Sequence, residues 1–176
     1  IALLENLNLK KAHIIGHSMG GKVAIEVSQS VPEMIKSLIC VDIAPKKYPE
    51  THRKIIDGLI NIPLLEINSR VDADNKLKPY IESPQIRQFL LTNLKQDRNK
   101  QWAWKLNIKA ISNQYTEIIK QPSLIKIISA PTLFIKGANS DAITDEDKLV
   151  IEQYYPNSKV QAIENAGHWV HSEQPE

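Results

Sequence analysis

The chain has 176 residues, of which 42% are hydrophobic and 24% charged, close to the averages of globular domains, so nothing in its composition points to disorder. A net charge of +2, with 22 Lys and Arg residues scattered along the chain, leaves no electrostatic footprint for nucleic acid, and no apolar run is long enough to span a bilayer. The single cysteine, Cys40, excludes a disulfide framework and lies in the apolar run Leu38-Ile39-Cys40-Val41, where a packed thiol is expected.

The sequence opens at Ile1 without an initiator Met, in what reads as the tail of a helix, and closes at Glu176 soon after a histidine-bearing motif. The expectation is a piece of a longer chain. A missing signal peptide then says nothing about compartment, and cytoplasm is the default for a reduced-looking chain.

Residues 12–15 form a short apolar run ending at a glycine, and Met19, Val23, Ala24 and Val27 follow at helical spacing up to residue 30. This predicts strand, sharp turn, helix. Pro32 lies just past that helix, and residues 38–43 form a second β-branched run ending in Asp42-Ile43-Ala44-Pro45. Between residues 46 and 122, Leu and Ile recur three and four apart without period-two alternation, which predicts a helical insertion. Strand character resumes over 131–137, a helix is predicted over 145–154 and a last strand over 158–163, followed by Gly167-His168-Trp169.

This alternation predicts an α/β fold: a parallel sheet with helices on both faces and a helical cap inserted between the second and third visible strands. The expected division is a core of 1–45 and 123–176 with a cap of 46–122. Active sites in such sheets lie beyond the carboxyl ends of the strands, and Ser18, Asp42, Asp141 and His168 each fall just past such an end.

Gly16-His17-Ser18-Met19-Gly20 has the form of a nucleophile elbow, in which a serine occupies a strained strand-to-helix turn and flanking glycines avoid clashes. Gly16 and Gly20 are expected to serve that purpose. The helix that follows would aim unpaired N–H groups at the reaction centre, with the Met19 N–H as an oxyanion donor. A serine hydroxyl needs a base, and the base needs a carboxylate to hold its tautomer. Of the five histidines, His168 follows the last strand and is the candidate base, with Gly167 expected to turn the backbone inward. His13, His17, His52 and His171 read as structural, although His17 and His171 could line a pocket, and no spacing among them suggests a metal site. For the acid, both Asp42 and Asp141 are within reach on strand geometry.

The segments Gly16-His17-Ser18-Met19-Gly20-Gly21-Lys22, Val41-Asp42-Ile43-Ala44-Pro45, Gly137-Ala138-Asn139-Ser140 and Ala166-Gly167-His168-Trp169-Val170-His171 resemble the α/β-hydrolase superfamily. More narrowly, they are similar to the esterase group that includes bacterial YbfF-type esterases and their mitochondrial ABHD11-like relatives. The insertion matches only weakly, around Trp104 to Asn107. Many α/β-hydrolases carry the acid in a Gly-x-x-Asp pattern after the cap, where this chain has Ser140. The YbfF-like group also has Asn-Ser there and uses the aspartate of its Val-Asp-Ile-Ala-Pro segment, so the resemblance favours Asp42, with Asp141 as the alternative. The superfamily's first strands, and the His-Gly loop that gives a second oxyanion N–H, have no counterpart in the sequence, which leaves Met19 as its one expected donor.

The resemblance implies a serine esterase or thioesterase that cleaves small acyl esters or thioesters through an acyl-enzyme, with no cofactor and no metal. His17, Trp104 and Trp169 are the candidate substrate-pocket residues, and Trp102 and Tyr115 are further candidates from the insertion. The rival expectations are a hydrolase for another bond (lactone, amide, carbon–carbon, or perhydrolysis) and a non-catalytic member of the fold that holds a small molecule.

Overall fold

A computed structural model describes all residues, Ile1–Glu176. The chain forms two compact units, one of residues 1–48 and 120–176 and one of residues 49–119.

The first unit opens with a short helix, α1 (Ala2–Asn6), followed by strand β1 (Ala12–His17), helix α2 (Met19–Ser30) and strand β2 (Ile35–Val41). β1 and β2 pair in parallel across α2, which is the predicted βαβ unit. The predicted and observed bounds of α2 coincide, because Ser18 leaves helical geometry at one end and Pro32 follows at the other. After the second unit come strand β5 (Thr132–Gly137), helix α8 (Asp145–Tyr154), strand β6 (Ser158–Ile163) and the single-turn helix α9 (Val170–Glu173). Thr144 caps α8 in a reciprocal box with Asp147, which fixes where that helix starts. The sheet is four-stranded and parallel throughout, in the order β1-β2-β5-β6.

The core of this unit gathers Ala24 and Ile25 of α2, Leu38 and Cys40 of β2, Phe134 of β5 and Ile151 of α8. Each fully buried aliphatic or aromatic side chain there contributes roughly 1.5–3 kcal/mol relative to exposure. Cys40 is completely buried and its thiol pKa is pushed up to about 12 by burial, which makes it inert. Coverage of both sheet faces holds for the central strands and fails at the edges. β1 leaves Ile15 69% exposed, and β6 has only half-buried and exposed residues, none of them fully buried.

The second unit contains helices α3 (Arg53–Asn61), α4 (Arg70–Leu77), α5 (Pro84–Leu91), α6 (Ile108–Asn113) and α7 (Tyr115–Ile119) around its own core, which includes Leu59, Leu77, Leu91 and Leu94. It is not purely helical, as its spacing had suggested. Strands β3 (Leu94–Gln96) and β4 (Trp102–Trp104) form an antiparallel hairpin. At three residues each, they are too short for alternation to register.

Candidate active site

The strand register sets the geometry. His17 of β1 pairs with Val41 of β2, and Val41 pairs with Ile135 of β5, so the next residues, Ser18 and Asp42, emerge in one row on adjacent strands. Each extends the ladder by one bond, Ser18 N–H to Val41 O at 2.9 Å and Asp42 N–H to Ile135 O at 2.7 Å. Each then turns into the left-handed region, with φ of 54° at Ser18 and 49° at Asp42. Such positions cost of order 1–3 kcal/mol for non-glycine residues and persist where the surroundings over-determine them.

At Gly16 the elbow has no room for a side chain, since a Cβ there would stand 2.2 Å from the Gly20 carbonyl oxygen. Gly20 itself faces open space, contrary to expectation. The second crowded glycine is Gly21, where a Cβ would meet the Ile43 side chain at 2.3 Å and the Gly16 carbonyl oxygen at 3.0 Å. Met19 is the first residue of α2, so its N–H stands outside the helical ladder beside Ser18.

His168 lies on the loop between β6 and α9. Its Nδ1 is 2.7 Å from Asp42 Oδ2 and its Nε2 is 3.0 Å from Ser18 Oγ. Because the carboxylate only accepts, Nδ1 carries a proton and Nε2 is left to accept from the serine hydroxyl. The inward turn is made at Asn165, with φ of 60°, and not at Gly167, which has no positive φ. Asp141 is exposed, whereas Asp42 is completely buried. Burial alone would raise the Asp42 carboxyl pKa. Donation from His168 Nδ1, from Ser140 Oγ to Oδ2 at 2.6 Å and from Gly137 N–H to Oδ1 at 3.0 Å outweighs this and holds it below the usual range. Ser140 stands where many relatives carry the acid, and that position was the only sequence signal for its role.

His17 Nε2 donates to the His168 carbonyl at 2.8 Å, and the His17 ring lies 4.9 Å from His168, 5.6 Å from Trp169 and 5.1 Å from His171. Burial lowers the His17 pKa. Trp169 is 37% exposed at the edge of this ring cluster. The aromatic candidates of the insertion are engaged within their own unit. Trp104 Nε1 donates to Leu59 O at 3.0 Å, Trp102 packs on the same core, and the Tyr115 hydroxyl accepts from His52 N–H at 3.0 Å. His13 contacts Ser37 Oγ at 2.6 Å, away from the site. No group of three or more His, Cys, Asp or Glu side chains is arranged to hold a metal ion.

Comparison with known proteins agrees with this architecture. The family described as alpha/beta hydrolase fold matches residues 2–175. The chain belongs to that family. It is 33% identical over 180 residues to the zebrafish (Danio rerio) sn-1-specific diacylglycerol lipase ABHD11, covering 98% of this chain and 56% of that protein. It is 28% identical over 174 residues to esterase YbfF of Escherichia coli, covering 98% of this chain and 66% of that protein. The chain thus spans less than two thirds of the length of these curated relatives. A solved marine microorganism esterase superposes with a TM-score of 0.94 at 38% identity, over 99% of this chain and 69% of that one. These similarities put the chain in the ABHD11/YbfF-like group of α/β-hydrolases. No helix is long and apolar enough to cross a membrane.

Proposed function

We propose that this chain carries the catalytic centre of a serine hydrolase acting on acyl esters or acyl thioesters, with Ser18 as nucleophile, His168 as base and Asp42 as the orienting acid. The observation that carries the reading is the continuous relay of 3.0 Å from Ser18 Oγ to His168 Nε2 and 2.7 Å from His168 Nδ1 to Asp42 Oδ2. The relatives' names, a diacylglycerol lipase and esterases, support an acyl ester as the substrate class.

In this mechanism His168 Nε2 takes the Ser18 proton as Oγ attacks the substrate carbonyl carbon, and the resulting oxyanion faces the Met19 N–H. Asp42 stabilises the imidazolium without taking a proton. His168 then protonates the departing alkoxide or thiolate, leaving an acyl group on Ser18 Oγ. A water molecule, deprotonated by His168, attacks that acyl carbon, and Ser18 recovers its proton as the carboxylic acid leaves. Every step uses groups of the chain and water alone.

Turnover of p-nitrophenyl esters and matched acyl-CoA thioesters, from short to long chain, tests the assignment. Ser18→Ala is expected to lower kcat by at least about 1000-fold on whichever series is cleaved. Turnover that survives this substitution would refute it.

A further inference from the structure

A general base must be held to a fraction of an ångström, yet the His168 side chain is 42% exposed and sits on a loop, so packing alone does not fix it. Asp42 and Ser18 orient the ring. They do not hold the backbone from which the ring projects. The Asn139 N–H bond to Ala166 O at 2.9 Å anchors the start of the loop, and two side chains outside the relay hold the residues on either side of His168. Glu173, at the end of α9, turns its carboxylate back over the loop. Its Oε2 accepts the Gly167 N–H at 2.7 Å and its Oε1 accepts the Trp169 N–H at 3.2 Å. The carboxylate therefore straddles His168, one oxygen on the N–H of the residue before it and one on the N–H of the residue after. From the other side, His17 Nε2 donates to the carbonyl of His168 itself at 2.8 Å. Because that partner is a carbonyl, His17 carries its proton on Nε2.

We propose that Glu173 and His17 are positioning residues that clamp the main chain on both sides of the base, with His17 joining the base loop to the strand end that carries the nucleophile. This rests on the reading of Ser18, His168 and Asp42 as a catalytic triad. A simple helix cap would explain only part of the geometry. The bond to Trp169, the residue before α9, has the form of a cap, whereas the bond to Gly167 reaches two residues further back and does nothing for the helix. His17 serves no cap at all. Its place next to Ser18 in the elbow gives it one ångström-scale task, to register the two loops against each other.

The test compares wild type with Glu173→Ala, Glu173→Gln, His17→Ala and His17→Gln, measuring p-nitrophenyl acetate turnover against pH, the downfield Nδ1 proton of His168 by NMR, and fluorophosphonate labelling. Loss of the clamp is expected to lower kcat by about 10- to 100-fold with KM little changed, because a misplacement of about 1 Å at the reacting groups costs on that order. It should also displace the acid limb of the pH profile and weaken or shift the Nδ1 proton signal. Glu173→Gln keeps one acceptor, and His17→Gln keeps a donor, so each should recover part of the loss. A purely structural role would lower melting temperature without moving the acid limb or the proton signal, and that pattern would overturn the clamp. Wild-type kcat and acid limb in both alanine variants, in a protein whose Ser18 is labelled, would overturn the clamp and leave the triad standing. An unlabelled wild-type protein would overturn both. If Glu173→Ala does not fold, Glu173→Gln decides: a wild-type kcat and acid limb count against the clamp, and a lowered kcat with a displaced limb supports it.

Discussion

The serine of this site is held by backbone, and the histidine by backbone and side chains together. Ser18 is fixed by backbone: a ladder bond at its N–H, a left-handed φ, and a turn so close that Gly16 has no room for a Cβ. His168 is fixed by side chains as well as backbone: its ring by Asp42, its peptide neighbours by His17 and Glu173, and the residues before it by the Asn139 N–H on Ala166 O at 2.9 Å and by Gly137, where a Cβ would stand 2.1 Å from the Gly167 carbonyl oxygen. A turn built from backbone contacts must be written in local sequence, as glycines at set spacing. A loop that also depends on distant side chains leaves only part of its support in local pattern.

The largest expected effect separates the two candidate acids. Asp42→Asn removes the charge that holds the His168 tautomer and is expected to lower kcat by on the order of 1000- to 10,000-fold, while Asp141→Asn should change it less than about 2-fold. Steady-state turnover of an ester cleaved by the wild type measures both, and the reverse pattern would move the acid to the exposed residue.

Next come the glycines, which test the contrast directly through urea unfolding. Gly16→Ala forces a Cβ to 2.2 Å from a backbone oxygen, and a loss of about 3 kcal/mol or more is expected, because backbone cannot yield as a side chain can. In the histidine loop, a Cβ at Gly167 would stand 3.3 Å from the end of the Glu173 side chain, which can shift, and Gly167→Ala should cost no more than about 1 kcal/mol. Gly20 faces open space within a helix, so Gly20→Ala should stabilise by about 0.5–1 kcal/mol. Equal costs at Gly16 and Gly167 would erase the distinction.

The smallest effect concerns the elbow helix away from the chemistry. Lys22 is buried on α2, donates to the Lys46 and Lys120 carbonyls and lies 5.3 Å from the Tyr48 ring. Burial lowers its pKa from 10.5 to about 8. Between those values the unfolded chain binds more protons than the folded one, so stability should rise as pH goes from about 8 to about 10.5. Lys22→Met should flatten that slope, as read from melting temperature against pH. An unchanged slope would place the titration elsewhere.

The same contrast explains how much could be read from sequence. The elbow, α2 and β2 were legible because their signals are local: a motif, a helical period, a β-branched run. Asp42 was legible only together with the resemblance, since strand geometry alone left Asp141 open. The hairpin of β3 and β4 escaped because three-residue strands carry too little periodicity. Asn165, rather than Gly167, makes the turn before His168, because Asn tolerates left-handed backbone and can stand where glycine is expected. Glu173 and the part played by Ser140 follow from contacts that no spacing rule describes. Trp104, a pocket candidate from the sequence, bonds to Leu59 within its own unit, a contact its position in the sequence did not signal.

The most direct test of the central claim is to treat the protein with a fluorophosphonate probe and map the adduct by peptide mass spectrometry. A single adduct on Ser18, lost in Ser18→Ala and strongly slowed in His168→Ala, is the predicted result. No adduct, or one on another residue that persists in Ser18→Ala, would contradict the account.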